Sequence, residues 1–221
     1  NLRSEGTPEN KIAFVGNIMI DTLEANREIA SAMSVSDIIY NNLTPGYNFR
    51  GKVPSDNSFA VMTLHRPSNV DQEKVLEPLI EFLLNEVTSD FTIIWPIHPR
   101  AKKQLKAFGL WERVVGNNSI ILLEPVGYRE MLRLNMGAKV MLTDSGGLQE
   151  ECCVLGTPCL TLRWNTERPV TLREYGGASV LVGNNIDRIR EEYIIAISQD
   201  RRPIRPELWD GRTAERCLEA I

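Results

Sequence analysis

The stretch KVMLTDSGGLQEECCVLGTPCLTLR, residues 139–163, carries the pattern that decides the fold. An apolar run of strand length (139–144) ends in a Ser-Gly-Gly turn. A helix-like segment (147–155) follows, and a second apolar run begins at Pro158 and ends at Arg163. Two short apolar strands joined by a helix make the βαβ unit of a parallel sheet. The same alternation extends outward on both sides. Upstream lie strand-like 59–65, helix-like 71–87, strand-like 91–98, helix-like 100–108, strand-like 119–125 and helix-like 127–136. Downstream lie strand-like 178–183, a helix over 186–198 with Asn185 as its cap, and an apolar-stripe segment at 212–221. The strands are continuously apolar, as in sheets covered on both faces. The expected fold is therefore α/β, a Rossmann-like parallel sheet with helices on both faces. An opening apolar run (11–17) and a helix from Ile18 to about Met33 lead into a polar, turn-rich passage (41–57) that reads as a connection. Pro78 should kink or shorten the helix that carries Leu76, Leu79, Ile80, Leu83 and Leu84.

Composition narrows the function classes. At 221 residues with 43% hydrophobic content, the chain can fill an ordinary globular core. The net charge of −4 comes from interspersed charges with no long basic block, which argues against a nucleic-acid partner. The four cysteines include an adjacent pair but no CxxC, and both histidines are distant from them, so neither a disulfide framework nor a zinc site is expected. No GxGxxG is present, and no cofactor or metal is expected. No apolar run reaches the roughly 18 residues that span a bilayer. No charged-then-apolar signal segment opens the chain either, so the expected place is the cytoplasm, away from membrane. Since the chain starts at Asn1 and not at Met, an upstream portion is expected to have been processed, cut away or left out.

Ligands of open parallel sheets bind beyond the carboxyl ends of the strands. Those ends offer His65-Arg66-Pro67, His98-Pro99-Arg100, Glu124 to Tyr128, Asp144 to Gly147, and Arg163 to Arg168. A Ser-Gly-Gly turn entering a helix leaves backbone N–H groups unpaired where they and the helix dipole attract phosphate. Glu150 and Glu151 follow about 5–6 Å further along the helix axis. That is too far to touch the same phosphate and suits the ribose diol of a nucleoside diphosphate. Only one of the two can face such a ligand. The plainer reading is a tight strand-to-helix turn, with two acids favouring a helix N-terminus. His65 and His98 read either as functional groups or as structural hydrogen-bonders, and the role of His98 stays open. Arg163, Glu167 and Arg168 have a plain reading as a salt-bridged loop. Trp95 and Trp164 read as core or interface residues, and one of Cys152 and Cys153 is expected to pack inward.

The motifs TLHRPSNVD (63–71), LLEPVGYREML (122–132), LTDSGGLQEE (142–151), GTPCLTLRWNTERPV (156–170) and LVG (181–183) occur in one order from about Lys11 onward. Together they resemble the carboxyl-terminal half of the non-hydrolysing UDP-N-acetylglucosamine 2-epimerases. The resemblance implies the carboxyl-terminal lobe of a glycosyltransferase-B-like two-lobed fold. Residues 1–57 would be the lobe-connecting segment, and 58–221 the UDP-binding domain with its return helices. It implies that Ser145, Gly146 and Gly147 hold the diphosphate, that Glu151 takes the ribose hydroxyls and that Arg168 closes on the substrate. His65 would be the catalytic cleft histidine, with Arg66 beside it. Val126 and Met131 would line the uracil pocket, although the family often has an aromatic where this chain has Met131. The implied reaction is isomerase chemistry, interconverting UDP-GlcNAc and UDP-ManNAc through UDP elimination and re-addition. It would feed N-acetylmannosamine to surface polysaccharide, with UDP-GlcNAc, UDP-ManNAc and UDP as partners and a homodimer as the full-length form. The family's catalytic carboxylates come from its first lobe, so this chain alone is expected to be inactive. A UDP-sugar-dependent glycosyltransferase and a nucleotide-binding-only module are the alternative readings.

Overall fold

The computed structural model describes residues 2–221. Six parallel strands, β1 (Phe59–Thr63), β2 (Thr92–Pro96), β3 (Ile120–Leu123), β4 (Val140–Thr143), β5 (Cys159–Thr161) and β6 (Ser179–Leu181), form one sheet in the order β3-β2-β1-β4-β5-β6. The chain steps from β1 to one edge, returns to the centre at β4 and steps to the other edge. The two directions part between β1 and β4, where such sheets open a crevice. Thr63 pairs with Thr143 in the register, and their hydroxyls lie 2.6 Å apart at the carboxyl ends of the two strands.

The helices are α1 (Ile18–Ser31), α2 (Val35–Asn42), α3 (Pro67–Val70), α4 (Glu73–Phe82), α5 (Thr88–Asp90), α6 (Pro99–Ala107), α7 (Trp111–Val115), α8 (Tyr128–Gly137), α9 (Gly146–Leu155), α10 (Ile186–Ser198) and α11 (Thr213–Glu219). Successive strand residues point to opposite faces. Met62, Ile93, Trp95, Leu122 and Leu142 pack with α4, α6 and α10 on one face. Phe59, Val61, Ile94, Ile121 and Met141 pack with α2, α8 and α9 on the other. Both faces are therefore apolar, which is why the strands read as continuous runs. A third cluster seats α1 on α8 and α9 through Ile20, Leu23 and Ala30 against Leu132, Cys153, Val154 and Leu155, with Trp209 beside them. No helix among the described residues is long and apolar enough to cross a membrane.

Several elements depart from the sequence pattern, the short helices α3 and α5 among them. Pro78 sits inside α4 without ending it, and the backbone instead widens into a π-helical turn over Leu83–Val87. Leu76, Leu79, Ile80, Phe82 and Leu83 are all buried around it. At about 1.5–3 kcal/mol for each large apolar side chain, their burial outweighs the roughly 3 kcal/mol that an interior proline costs. The helices α2 and α7 were not legible as separate elements. The turn-rich passage after α2 does more than connect, because Leu43 bridges Leu123 and Thr44 N–H donates to the Leu122 carbonyl at 3.0 Å. These contacts cover part of the outer edge of β3. The Asn185 cap of α10 is as expected, its side chain accepting from Arg188 N–H at 3.1 Å.

Candidate functional site

The carboxyl ends of β1 and β4 are tied together by Asp144, the first residue after β4, whose side chain is fully buried. Its Oδ2 accepts from the backbone N–H of His65 (3.0 Å), the backbone N–H of Arg66 (2.7 Å) and Asn69 Nδ2 (3.2 Å). Its Oδ1 lies 2.6 Å from His65 Nδ1. Arg66 Nε donates to the Asp144 carbonyl at 3.1 Å. Burial alone would raise the Asp144 pKa, but the hydrogen bonds from the His65 ring and from the backbone of Arg66 and His65 prevail and hold it below the ordinary carboxylate value. His65 and Arg66 are thereby fixed beside the Ser-Gly-Gly turn, 80 residues downstream of His65 in the sequence.

Ser145 is the N-cap residue of α9, yet its side chain makes no capping hydrogen bond; its own N–H donates to Thr143 Oγ1 at 3.0 Å. The first N–H groups of α9 thus lack a side-chain cap, and no acidic residue lies in its first turn. A side chain at Gly146 would collide with the Arg168 guanidinium and come within 3.1 Å of Glu167 Oε1. Arg168 is held by two carboxylates. Its Nε is 3.0 Å from Glu150 Oε1, and its Nη1 pairs with Glu167. Glu167 also accepts from Arg163 Nη2 at 2.7 Å, and this bond leads the causes that hold its carboxyl down at about 2. Gln149, fully buried on α9, anchors the loop from below by accepting from Thr166 Oγ1 at 2.9 Å. Asn17, the N-cap of α1, donates to Glu150 Oε1 at 2.9 Å.

Glu151 turns the other way, toward α8. Burial pushes its pKa up to about 7 and the nearby Glu150 charge adds to this, against the lowering influence of Asn135 and Tyr128. The Tyr128 hydroxyl is raised in turn by burial and by Glu151. The two adjacent acids thus belong to different places, Glu150 beside Arg168 and Glu151 in a nearly dry pocket under the start of α8. Val126 and Met131 flank that start, half-buried against the core. His98 caps α6, its Nδ1 accepting from Arg100 N–H at 3.1 Å, and its ring centroid lies 5.6 Å from that of His65. Trp95 is core, whereas Trp164 is 64% exposed and lies over Gly183. Cys152 and Cys153 are both buried. Among the described residues no group of three His, Cys, Asp or Glu is placed to hold a metal.

Of the residues expected from sequence, His65, Arg66, Ser145, Gly146, Gly147 and Arg168 meet at the β1–β4 crevice, while Glu151, Val126 and Met131 line the adjoining start of α8. Asp144, Asn69, Gln149, Asn17 and the Glu150 pairing were missed. Asp144 carried a signal, since a carboxylate at the end of a buried apolar strand needs partners there.

The family model described as UDP-N-acetylglucosamine 2-epimerase matches residues 1–221, the whole chain. The chain belongs to this family. A 2-epimerase of Methanocaldococcus jannaschii is 38% identical over 222 residues, covering 100% of this chain and 57% of that protein. The structure of the M. jannaschii UDP-GlcNAc 2-epimerase in complex with UDP-GlcNAc and UDP superposes with a TM-score of 0.79 at 38% identity, over 99% of this chain and 57% of the other. The Neisseria meningitidis UDP-GlcNAc 2-epimerase bound to UDP-GlcNAc gives a TM-score of 0.76 at 26% identity, over 99% and 57%. The chain spans a little over half the length of these 2-epimerases. Its sequence motifs had pointed to the same family.

Proposed function

We propose that the chain is the UDP-binding lobe of a UDP-GlcNAc 2-epimerase, and that the β1–β4 crevice takes the nucleotide of UDP-GlcNAc, UDP-ManNAc and UDP. The observation that carries this reading is the bare N-terminus of α9. Its cap serine keeps its hydroxyl unused, its first two residues are glycines, and Arg168 lies against Gly146. Here the diphosphate would accept from the N–H groups of α9 and from Ser145, and would displace Glu167 from Arg168. The Glu167 carboxylate is the more exposed of the two anions that now pair with that guanidinium. Glu151 would meet the ribose hydroxyls, with Val126 and Met131 beside the uracil.

Epimerisation at C2 requires removal of the C2 proton, departure of UDP and its re-addition after the proton returns to the opposite face. Departure of UDP builds negative charge on the diphosphate, and fixed N–H groups plus Arg168 stabilise that charge without reorganising. His65 serves as a proton donor to the leaving diphosphate or as a proton carrier, with Arg66 adding positive charge beside it. In this reading residues 1–57 join the two lobes of a glycosyltransferase-B-like enzyme and 58–221 form its nucleotide-binding domain. The full-length enzyme would work as a cytoplasmic homodimer supplying N-acetylmannosamine units for polysaccharide. Calorimetric titration of this chain with UDP, beside ADP and beside a Glu151→Ala variant, tests the assignment. Saturable binding that prefers UDP and weakens in the variant is expected; equal binding of UDP and ADP would overturn it.

A further inference from the structure

The His65–Asp144 pair carries more than a structural tie. We infer that Asp144 is a positioning residue, which fixes the protonation pattern of the His65 ring so that Nε2 alone is left to exchange a proton with a ligand in the crevice. Three observations support this. The Asp144 carboxylate is fully buried, so bulk water cannot satisfy it, and all its partners come from the segment after β1. Its two oxygens are loaded unequally. Oδ2 collects the backbone N–H groups of His65 and Arg66 together with Asn69 Nδ2, and Oδ1 faces the His65 ring at 2.6 Å and shares only the longer branch of the His65 N–H, at 3.2 Å. An ionised carboxylate has no proton to give, so His65 Nδ1 must carry one. The neutral ring is therefore the Nδ1–H form, with its lone pair on Nε2, and the charged ring has one proton to release, from Nε2. His65 keeps 39% of its side-chain surface exposed at this crevice, so the held ring remains reachable.

His98 provides an internal contrast. Its Nδ1 accepts from a backbone N–H, so its neutral ring must be the Nε2–H form. The chain has only these two histidines, and they are required to be opposite tautomers.

Replacing Asp144 by Asn reverses the pattern at His65 while keeping the shape. The asparagine has one acceptor oxygen, and the three donors at Oδ2 claim it. Its NH2 group then faces His65 Nδ1, which must accept, and the neutral ring moves its proton to Nε2. A lone pair at the crevice becomes an N–H.

The inference rests on the proposed function only for what His65 acts upon; the protonation pattern belongs to the pair itself. The test is ring nitrogen-15 NMR of the ligand-free chain, at a pH where both rings are neutral, followed by addition of UDP. Expected are Nδ1–H for His65 and Nε2–H for His98 in the wild type, a switch of His65 to Nε2–H in Asp144→Asn, and an unchanged His98. Wild-type His65 in the Nε2–H form would overturn the inference, as would an unswitched His65 in a variant whose His98 signals are native. If the variant fails to fold, the wild-type spectrum alone decides. UDP should perturb His65 Nε2 and leave Nδ1 little changed. Correct tautomers with no response to UDP would count against the nucleotide reading and leave the role of Asp144 standing.

Discussion

Glu150 and Glu151 differ by one position and about 100° around the same helix, and this separates a paired acid from a stranded one. Glu150 finds Arg168 and Asn17, while Glu151 enters a pocket whose burial raises its pKa from 4.5 to about 7. A carboxyl raised in the folded state binds its proton more tightly there than in the unfolded chain. The stabilisation is complete below about 4.5 and is lost as the pH climbs through about 7. A shift of this size is worth up to about 3 kcal/mol. Glu151→Gln should therefore flatten the decline in stability between pH 5 and pH 8, as followed by urea unfolding at both values; an equal decline in variant and wild type would show Glu151 to be an ordinary acid. The sequence displays both acids but cannot say which is stranded, because that depends on Tyr128 and Asn135 on another helix and on Asn17, 133 residues away from Glu150. Asp144 escaped for the same reason. Its partners lie 75 to 79 residues upstream and reach it only once β1 and β4 pair.

At the scale of the element, α9 separates a glycine required by the fold from one that the fold does not explain. A side chain at Gly146 would strike Arg168, whereas one at Gly147 would meet nothing within 4 Å. Alanine at a helical position is favoured over glycine by about 0.5 kcal/mol or more, so Gly147 costs the folded protein stability with no packing return. The phosphate proposed for the helix N-terminus would supply the missing reason, because it needs the backbone unobstructed. Gly147→Ala should therefore unfold at slightly higher urea than wild type while binding UDP at least about tenfold more weakly, a free-energy loss near 1.4 kcal/mol. Unchanged UDP affinity would remove the glycine from the ligand's path. Strands and most helices were legible because burial on both faces writes continuous apolar runs and the glycines and prolines punctuate them. The short α7 offered too few residues to show a period, and α2 lay beside the polar passage. The persistence of α4 through Pro78 was set by how many of its neighbours the core buries.

At the scale of the molecule, the described residues turn N–H groups and cations toward the β1–β4 crevice and offer it no unengaged base. Every acid near the β1–β4 crevice is engaged or withdrawn: Asp144 by His65 and three further donors, Glu150 by Arg168 and Asn17, Glu167 by Arg163 and Arg168, and Glu151 by burial. Apart from the half-exposed Glu167, which Arg163 and Arg168 neutralise, what remains accessible is cationic or neutral and suits a diphosphate. Removing a C2 proton and returning one to the opposite face needs a base and an acid on two sides of a sugar, and helix α9, His65 and Arg168 approach from one sheet edge. The 221-residue chain should accordingly bind UDP-GlcNAc yet leave C2 untouched. Incubation in deuterium oxide with proton NMR of the sugar reads this directly, because a single reversible abstraction at C2 exchanges the proton even when no epimer accumulates. No exchange over hours is the expected result, alongside saturable binding in calorimetry. Deuterium at C2 would mean that His65 or one of the paired acids leaves its partner to act as the base, so that this chain both binds the nucleotide and moves the proton.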